Sequence, residues 1–225
     1  MNEILQSPLF GISLTLITFC IGNIIYSKFK YTLFSPFILS LVMVVSFLLI
    51  FKIPTEAYKK GGSIIQMMLA PATCAIAISM YKQLKTIKEN LIPILIGTFV
   101  GSLVSIISIT ILCKLFNLDK DITISILPKT VTNAIAISLT EQNGGIVPIT
   151  VTCVVVTGIL GAILSPILIK LLKLKNPISI GLAIGTSSHG VGTAKAIEIG
   201  EVEGALSGIA MGLAGVMTVL IMIFI

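Results

Sequence analysis

Uncharged apolar runs long enough to cross a bilayer recur along this chain, at residues 4–27, 31–51, 61–81, 90–113, 142–169 and 204–225. A hydrocarbon core about 30 Å thick needs about 20 apolar residues per helix. Backbone polar groups inside it must be satisfied within the chain, which leaves helices or a closed barrel. Runs of this length are helical. Two further segments, 122–140 and 176–200, are nearly as apolar but carry Lys129, or Lys195 with Glu198. The expected fold is therefore all-α, a polytopic integral membrane protein with about 5–8 crossings. It forms one membrane domain over residues 1–225. The hydrophobic share of 56% exceeds the roughly 45–50% usual for soluble domains and excludes a soluble fold.

Three short polar stretches interrupt the apolar sequence: Leu69-Ala-Pro-Ala-Thr73, Leu127-Pro-Lys-Thr-Val-Thr-Asn133 and Gly185-Thr-Ser-Ser-His-Gly-Val-Gly-Thr193. Pro71 and Pro128 lack an N–H and clash with a helical carbonyl, and Gly185, Gly190 and Gly192 loosen the third stretch. These breaks predict discontinuous helices, broken or re-entrant, because interrupted backbone at membrane depth must be buried in protein or line a wet cavity. Ser and Thr at each break are placed to cap the half-helix that follows, aiming its N–H groups and positive dipole end inward at a small anion such as a carboxylate. Each break precedes a related motif, Ala75-Ile-Ala-Ile-Ser79, Ala134-Ile-Ala-Ile-Ser138 and Ala194-Lys-Ala-Ile-Glu198. These begin 59 and 60 residues apart (75 to 134, 134 to 194). They define weak repeats around 34–90, 91–146 and 147–203, a pattern that inverted transporter repeats produce and that chance in Ala/Ile-rich sequence also produces.

The formal charge of +6 comes from 15 basic residues, all lysine, against 9 acidic ones. The lysines sit mainly in short connections, and their bias puts the N-terminus and the Lys170–Lys175 loop in the cytoplasm of a cell whose inner (plasma) membrane holds the chain. No soluble surface exists to track phosphates, so nucleic acid is not an expected partner. Cys20, Cys74, Cys113 and Cys153 are widely spaced in apolar segments and read as small hydrophobes. The N-terminal Met-Asn-Glu lacks a signal peptide's basic region, so the first apolar run is expected to be retained. No Ser/His/Asp set, metal-ligand cluster or redox motif emerges. An enzyme is not expected, nor a cofactor or metal.

The candidate binding residues lie at the breaks: Pro128, Lys129, Thr130, Thr132 and Asn133 in the second, Thr186, Ser187, Ser188, His189, Gly190, Gly192, Thr193 and Lys195 in the third, and Pro71 and Thr73 in the first. A lysine at a helix centre costs about +2.5–3.5 kcal/mol on insertion scales. Lys129 therefore either faces a solvated cavity and attracts an anion or snorkels to a headgroup. His189, the single histidine, either carries a proton or hydrogen-bonds a solute, or else holds structure through a neutral nitrogen. Lys195 joins it or pairs with Glu198 or Glu141. Gly185-x-x-x-x-Gly190 lacks the Lys and Ser/Thr of a nucleotide loop and is rejected as one. Gly97-x-x-x-Gly101 and Gly204, Gly208 and Gly212 read as close helix packing.

The run Leu127-Pro-Lys-Thr-Val-Thr-Asn-Ala-Ile-Ala136, with Glu141-Gln-Asn-Gly-Gly145, Thr157-Gly-Ile-Leu-Gly161, Gly185 through Ala196 and Glu201-x-Glu203-Gly204, resembles the LrgB family. The likeness is dense from Leu69 onward. It implies an antiholin-like protein tied to murein hydrolase activity and autolysis, with a small membrane partner similar to LrgA. A plant relative that carries glycolate and glycerate, and bacterial links to pyruvate, further imply a path for small carboxylates. Membrane lipids and a homo-oligomer complete the expected partners. Relatives often carry Ser or Thr with Pro after the Pro-Lys pair, where this chain has Thr130-Val-Thr-Asn133.

Overall fold

A computed structural model describes residues 7–29 and 34–224, and every regular element among them is helical. The chain divides into two compact units, residues 1–75 and 76–225. Five helical stretches are long and apolar enough to cross a membrane, Pro8–Phe29, Thr55–Lys82, Leu91–Leu115, Val147–Leu171 and Glu201–Met222, beside the shorter apolar Pro36–Ile50. The protein is a multi-pass membrane protein.

In the first unit, α1 (Pro8–Phe29) packs against α2 (Pro36–Ile50) and α3 (Thr55–Met67). Apolar side chains gain little by leaving lipid for protein, so helices here associate through small residues and hydroxyl bonds. Gly11 and Gly61 bring α1 and α3 so close that a Cβ on Gly11 would lie 2.5 Å from the Tyr58 carbonyl oxygen. Thr18 and Ser40 share a 2.9 Å bond, as do Thr15 and Tyr58. The first expected break falls at Met68, ahead of α4 (Leu69–Lys82). Pro71 then sits in the first turn of α4, where a missing N–H removes no helical bond. It opens a helix and does not interrupt one. Pro71 and Thr73 are exposed, and the Thr73 hydroxyl bonds back to Leu69 O at 2.8 Å.

The second unit continues through α5 (Leu84–Glu89) into α6 (Leu91–Leu115), α7 (Lys120–Ile126), α8 (Asn133–Gln142), α9 (Val147–Leu171), α10 (Pro177–Ile199) and α11 (Glu201–Met222). Helices α7 and α8 have 7 and 10 residues, rises of only about 10 and 15 Å. Neither crosses a bilayer alone. They return on themselves: the Ser125 hydroxyl accepts from Ile146 N–H at 2.6 Å, and a Cβ on Gly145 would lie 3.0 Å from Ile124. The chain thus enters through α7, turns at residues 127–132 and leaves through α8 by the level at which it came in.

Helix α10 does the same with a sharper turn. As a straight rod its 23 residues would reach about 35 Å, with residues 184 and 192 about 12 Å apart. Instead a Cβ on Gly192 would lie 3.0 Å from Ile184, and Ile180, Ile184, Ala196 and Ile199 form one apolar cluster. The reversal occurs at His189, at φ 40° and ψ −138°. This is a re-entrant hairpin with arms 177–188 and 190–199.

The two hairpins enter from opposite ends. Helix α6 runs from the end that holds Ile178 and Val202, which cluster with its Ile94, to the end that holds Met222, which clusters with its Ile109 and Cys113. The α7–α8 hairpin follows the far end of α6, α9 runs back, and the α10 hairpin follows the near end of α9. Helix α11 then runs parallel to α6. Glycines set the closest approaches. A Cβ on Gly181 would meet the Glu203 carbonyl at 2.5 Å, and one on Gly185 would overlap the backbone of Ser207. Helices α2, α6 and α9 end alike, with Lys52, Asn117 and Lys173 at φ 51°, 51° and 52°. In each, the next residue's N–H reaches five residues back, as from Leu174 to Ile169 O at 3.0 Å. That is the left-handed cap usually given to glycine.

Candidate functional site

The two hairpin tips meet one cavity of about 950 Å³ inside the second unit. Lys129 and Thr130 reach it from the first tip, and Thr186, Ser187 and Ser188 from the second. Its remaining walls are α6, through Gly97, Gly101, Ser105 and Ser108, and α9, through Thr157, Gly161 and Ser165. It extends to the end of the unit where Asn90 and Asn176 lie. Among the described residues that line it, Lys129 is the only charged one.

The first tip is a run of tight turns, with Lys129 N–H on Ile126 O at 3.1 Å and Val131 N–H on Pro128 O at 3.2 Å. Leu127, Pro128 and Val131 anchor it in the protein interior. Thr132 takes the extended N-cap position of α8 (φ −64°, ψ 150°) but makes no side-chain cap bond. The expected hydroxyl cap is therefore absent there. Asn133 opens α8 and is exposed, and neither it nor Thr132 lines the cavity.

The second tip is held by α9 and by α11. The His189 ring turns toward α9, its Nε2 2.9 Å from the Val154 carbonyl oxygen, which accepts a hydrogen bond from the ring N–H. Gly158 makes room for the ring: a Cβ there would lie 2.7 Å from Cε1. Gly161 lies so near Ser188 that a Cβ would overlap its hydroxyl. Toward α11, the Thr193 hydroxyl lies 2.8 Å from His189 O, to which it donates, and 2.9 Å from Ser207 Oγ. The left-handed residue is thus His189 and not one of the flanking glycines. Gly190 is exposed near Met211, whereas Gly192 is buried between the arms. Ser187 and Ser188 share a 2.9 Å bond at the cavity wall.

His189, Gly190, Gly192 and Thr193 therefore build the tip without lining the cavity, and Lys195 pairs with Glu198 at 2.7 Å. Pro71 and Thr73 belong to the first unit. The sequence reading missed Ser105, Ser108, Thr157 and Ser165. The signal was present: Gly97, Gly101, Ser105 and Ser108 fall on one stripe of α6 at three- and four-residue spacing. The Ser105 hydroxyl is buried without a hydrogen-bond partner.

These features define a polytopic membrane protein in which two opposed re-entrant hairpins close on a cavity whose described lining holds a single cation. The chain belongs to the LrgB-like family, whose profile matches residues 15–225. It is 40% identical over 220 residues to the antiholin-like protein LrgB of Bacillus subtilis (strain 168), covering 97% of this chain and 95% of that protein. It is 38% identical over 217 residues to the proteins of the same name from Bacillus cereus (strain B4264) and Bacillus anthracis (strain CDC 684 / NRRL 3495), covering 96% of this chain and 94% of each. No solved structure matches.

Proposed function

We propose that this protein carries small carboxylates across the plasma membrane by way of the cavity between the hairpin tips, with its N-terminus in the cytoplasm. One observation carries the reading: among the described residues that line the cavity, the one charged residue is Lys129 on a hairpin tip, and Thr186, Ser187 and Ser188 line it from the other tip. Burial of that lysine is costly. A solvated cavity and a bound carboxylate offset the cost, the anion accepting hydrogen bonds from Nζ and from the hydroxyls. At about 950 Å³ the cavity holds an acid of a few carbons together with water. Tips entering from opposite ends suit alternating access, in which one repeat rocks against the other about a site near the midplane.

The test is flux of labelled glycolate, lactate and pyruvate into proteoliposomes. Lys129→Ala is expected to abolish saturable flux, and Lys129→Arg to retain part of it with a raised KM. Equal flux in Lys129→Ala and wild type would remove Lys129 from the path, and no flux of any acid would reject transport.

The name shared by the relatives, antiholin-like protein, favours a second reading in which the chain restrains a small LrgA-like membrane partner and so controls murein hydrolase activity and autolysis. Autolysis measured with and without that partner separates the two. A phenotype that survives in flux-dead Lys129→Ala supports regulation, whereas one lost with flux ties autolysis to the exported acid.

A further inference from the structure

The end of the cavity marked by Asn90 and Asn176 has an uneven charge. Lys175 precedes Asn176 directly, and Lys173 lies three residues before it, within about 11 Å of backbone. Lys170 follows the lining residue Leu168 by two positions. All three lysines are exposed, and no acidic residue lies between Gly161 and Glu198. The backbone fixes their display: Lys173 holds φ 52°, its N–H bonds Lys170 O at 3.3 Å, and Leu174 N–H closes the cap on Ile169 O. Elsewhere at this end Lys82 lies 4.0 Å from Glu201 and Lys85 4.0 Å from Glu89, while Lys88 and Glu203 add one charge of each sign. At the opposite end of the unit, Lys114 and Lys120 are offset by Asp119, Asp121 and Glu141.

We propose that Lys170, Lys173 and Lys175 form an electropositive vestibule on the cytoplasmic mouth of the Lys129 cavity, which concentrates small free anions before they reach the hairpin tips. Charges at this spacing from the mouth lie at about one Debye length in physiological salt, close enough to raise local anion concentration and far enough to be screened when salt is added. The vestibule's part in loading a solute rests on the transport reading above; its potential does not.

The experiment reads both. Ser179, exposed on the cavity wall, is replaced in the full-length protein by Ser179→Cys. Its modification by an anionic and by a cationic methanethiosulfonate reagent is timed in phosphatidylcholine vesicles, over the background of the chain without that cysteine. Combining Lys170→Gln, Lys173→Gln and Lys175→Gln is expected to lower the anionic-to-cationic rate ratio by about 10-fold at about 0.01 M salt, and by far less at about 1 M, where the screening length is about 3 Å. In the same vesicles carboxylate KM rises by a similar factor at low salt while kcat holds. A ratio unchanged by the triple substitution overturns the vestibule whatever the flux. A lowered ratio with no flux in any variant upholds the potential and rejects transport. Vesicles with anionic lipid add a final arm: a wild-type ratio reduced to that of the triple variant would show lipid headgroups, and not free solute, holding the lysines.

Discussion

Two glycines show how differently the same substitution acts in this fold. Gly158 lies under the His189 ring, where a Cβ would stand 2.7 Å from Cε1, 2.9 Å from Nε2 and 3.0 Å from Val191. Gly212, inside α11, has nothing within 4 Å. Gly158→Ala must push the ring off Val154 or spread α9 from the tip, an overpacking cost of about 1–3 kcal/mol. Gly212→Ala only removes backbone freedom, and helical propensity favours it by about 0.5–1 kcal/mol. Thermal unfolding in detergent is expected to show Tm falling for the first and rising for the second. Two rises would mean that the His189 contact is not tight. The Thr157-Gly-Ile-Leu-Gly161 motif, quoted at first only for its family likeness, has a physical purpose here, since both of its glycines face the second tip. His189 tells the converse story. Sequence placed it in the richest polar break and left two readings open, and its ring turns to a backbone carbonyl on α9 rather than into the cavity.

Among the elements, the hairpins were legible as breaks, with crossing and return left open. Pro128 and the glycines of the third stretch mark where regular helix must fail, and the turns lie at residues 127–132 and 189. Pro71 stands in the first turn of α4, just after the break at Met68. Direction depends on contacts between residues distant in sequence, such as Ser125 with Ile146, which periodicity does not encode. The first hairpin is also tied to α9 by Thr140 and Thr150, whose buried hydroxyls lie 2.8 Å apart. Hydroxyl pairs in membrane proteins average about 0.6 kcal/mol and reach about 1.7. A double-mutant cycle with Thr140→Val and Thr150→Val, read by unfolding in denaturant, is expected to give a coupling in that range. Additive losses would show that each hydroxyl finds another partner.

At the scale of the molecule, the opposed entry of the hairpins fixes which turns share a side of the membrane. Gly144, between α8 and α9, and Leu174, between α9 and α10, are separated by one full crossing of α9. Cysteines placed there by Gly144→Cys and Leu174→Cys are expected to react with an impermeant reagent from opposite faces, Leu174→Cys from the cytoplasm. Labelling of both from one face would refute the crossing. The hairpins also carry a consequence for biogenesis. Their arms are too short to remain in lipid as independent stems, and Gly181 and Gly185 of α10 find their covering backbone, Glu203 and Ser207, only in the helix translated next. A nascent chain that stalls after residue 199 therefore presents a bare backbone groove and an uncovered polar tip. Pairing with α11 is therefore what completes the second hairpin's burial, so its assembly waits on the synthesis of residues 201–207.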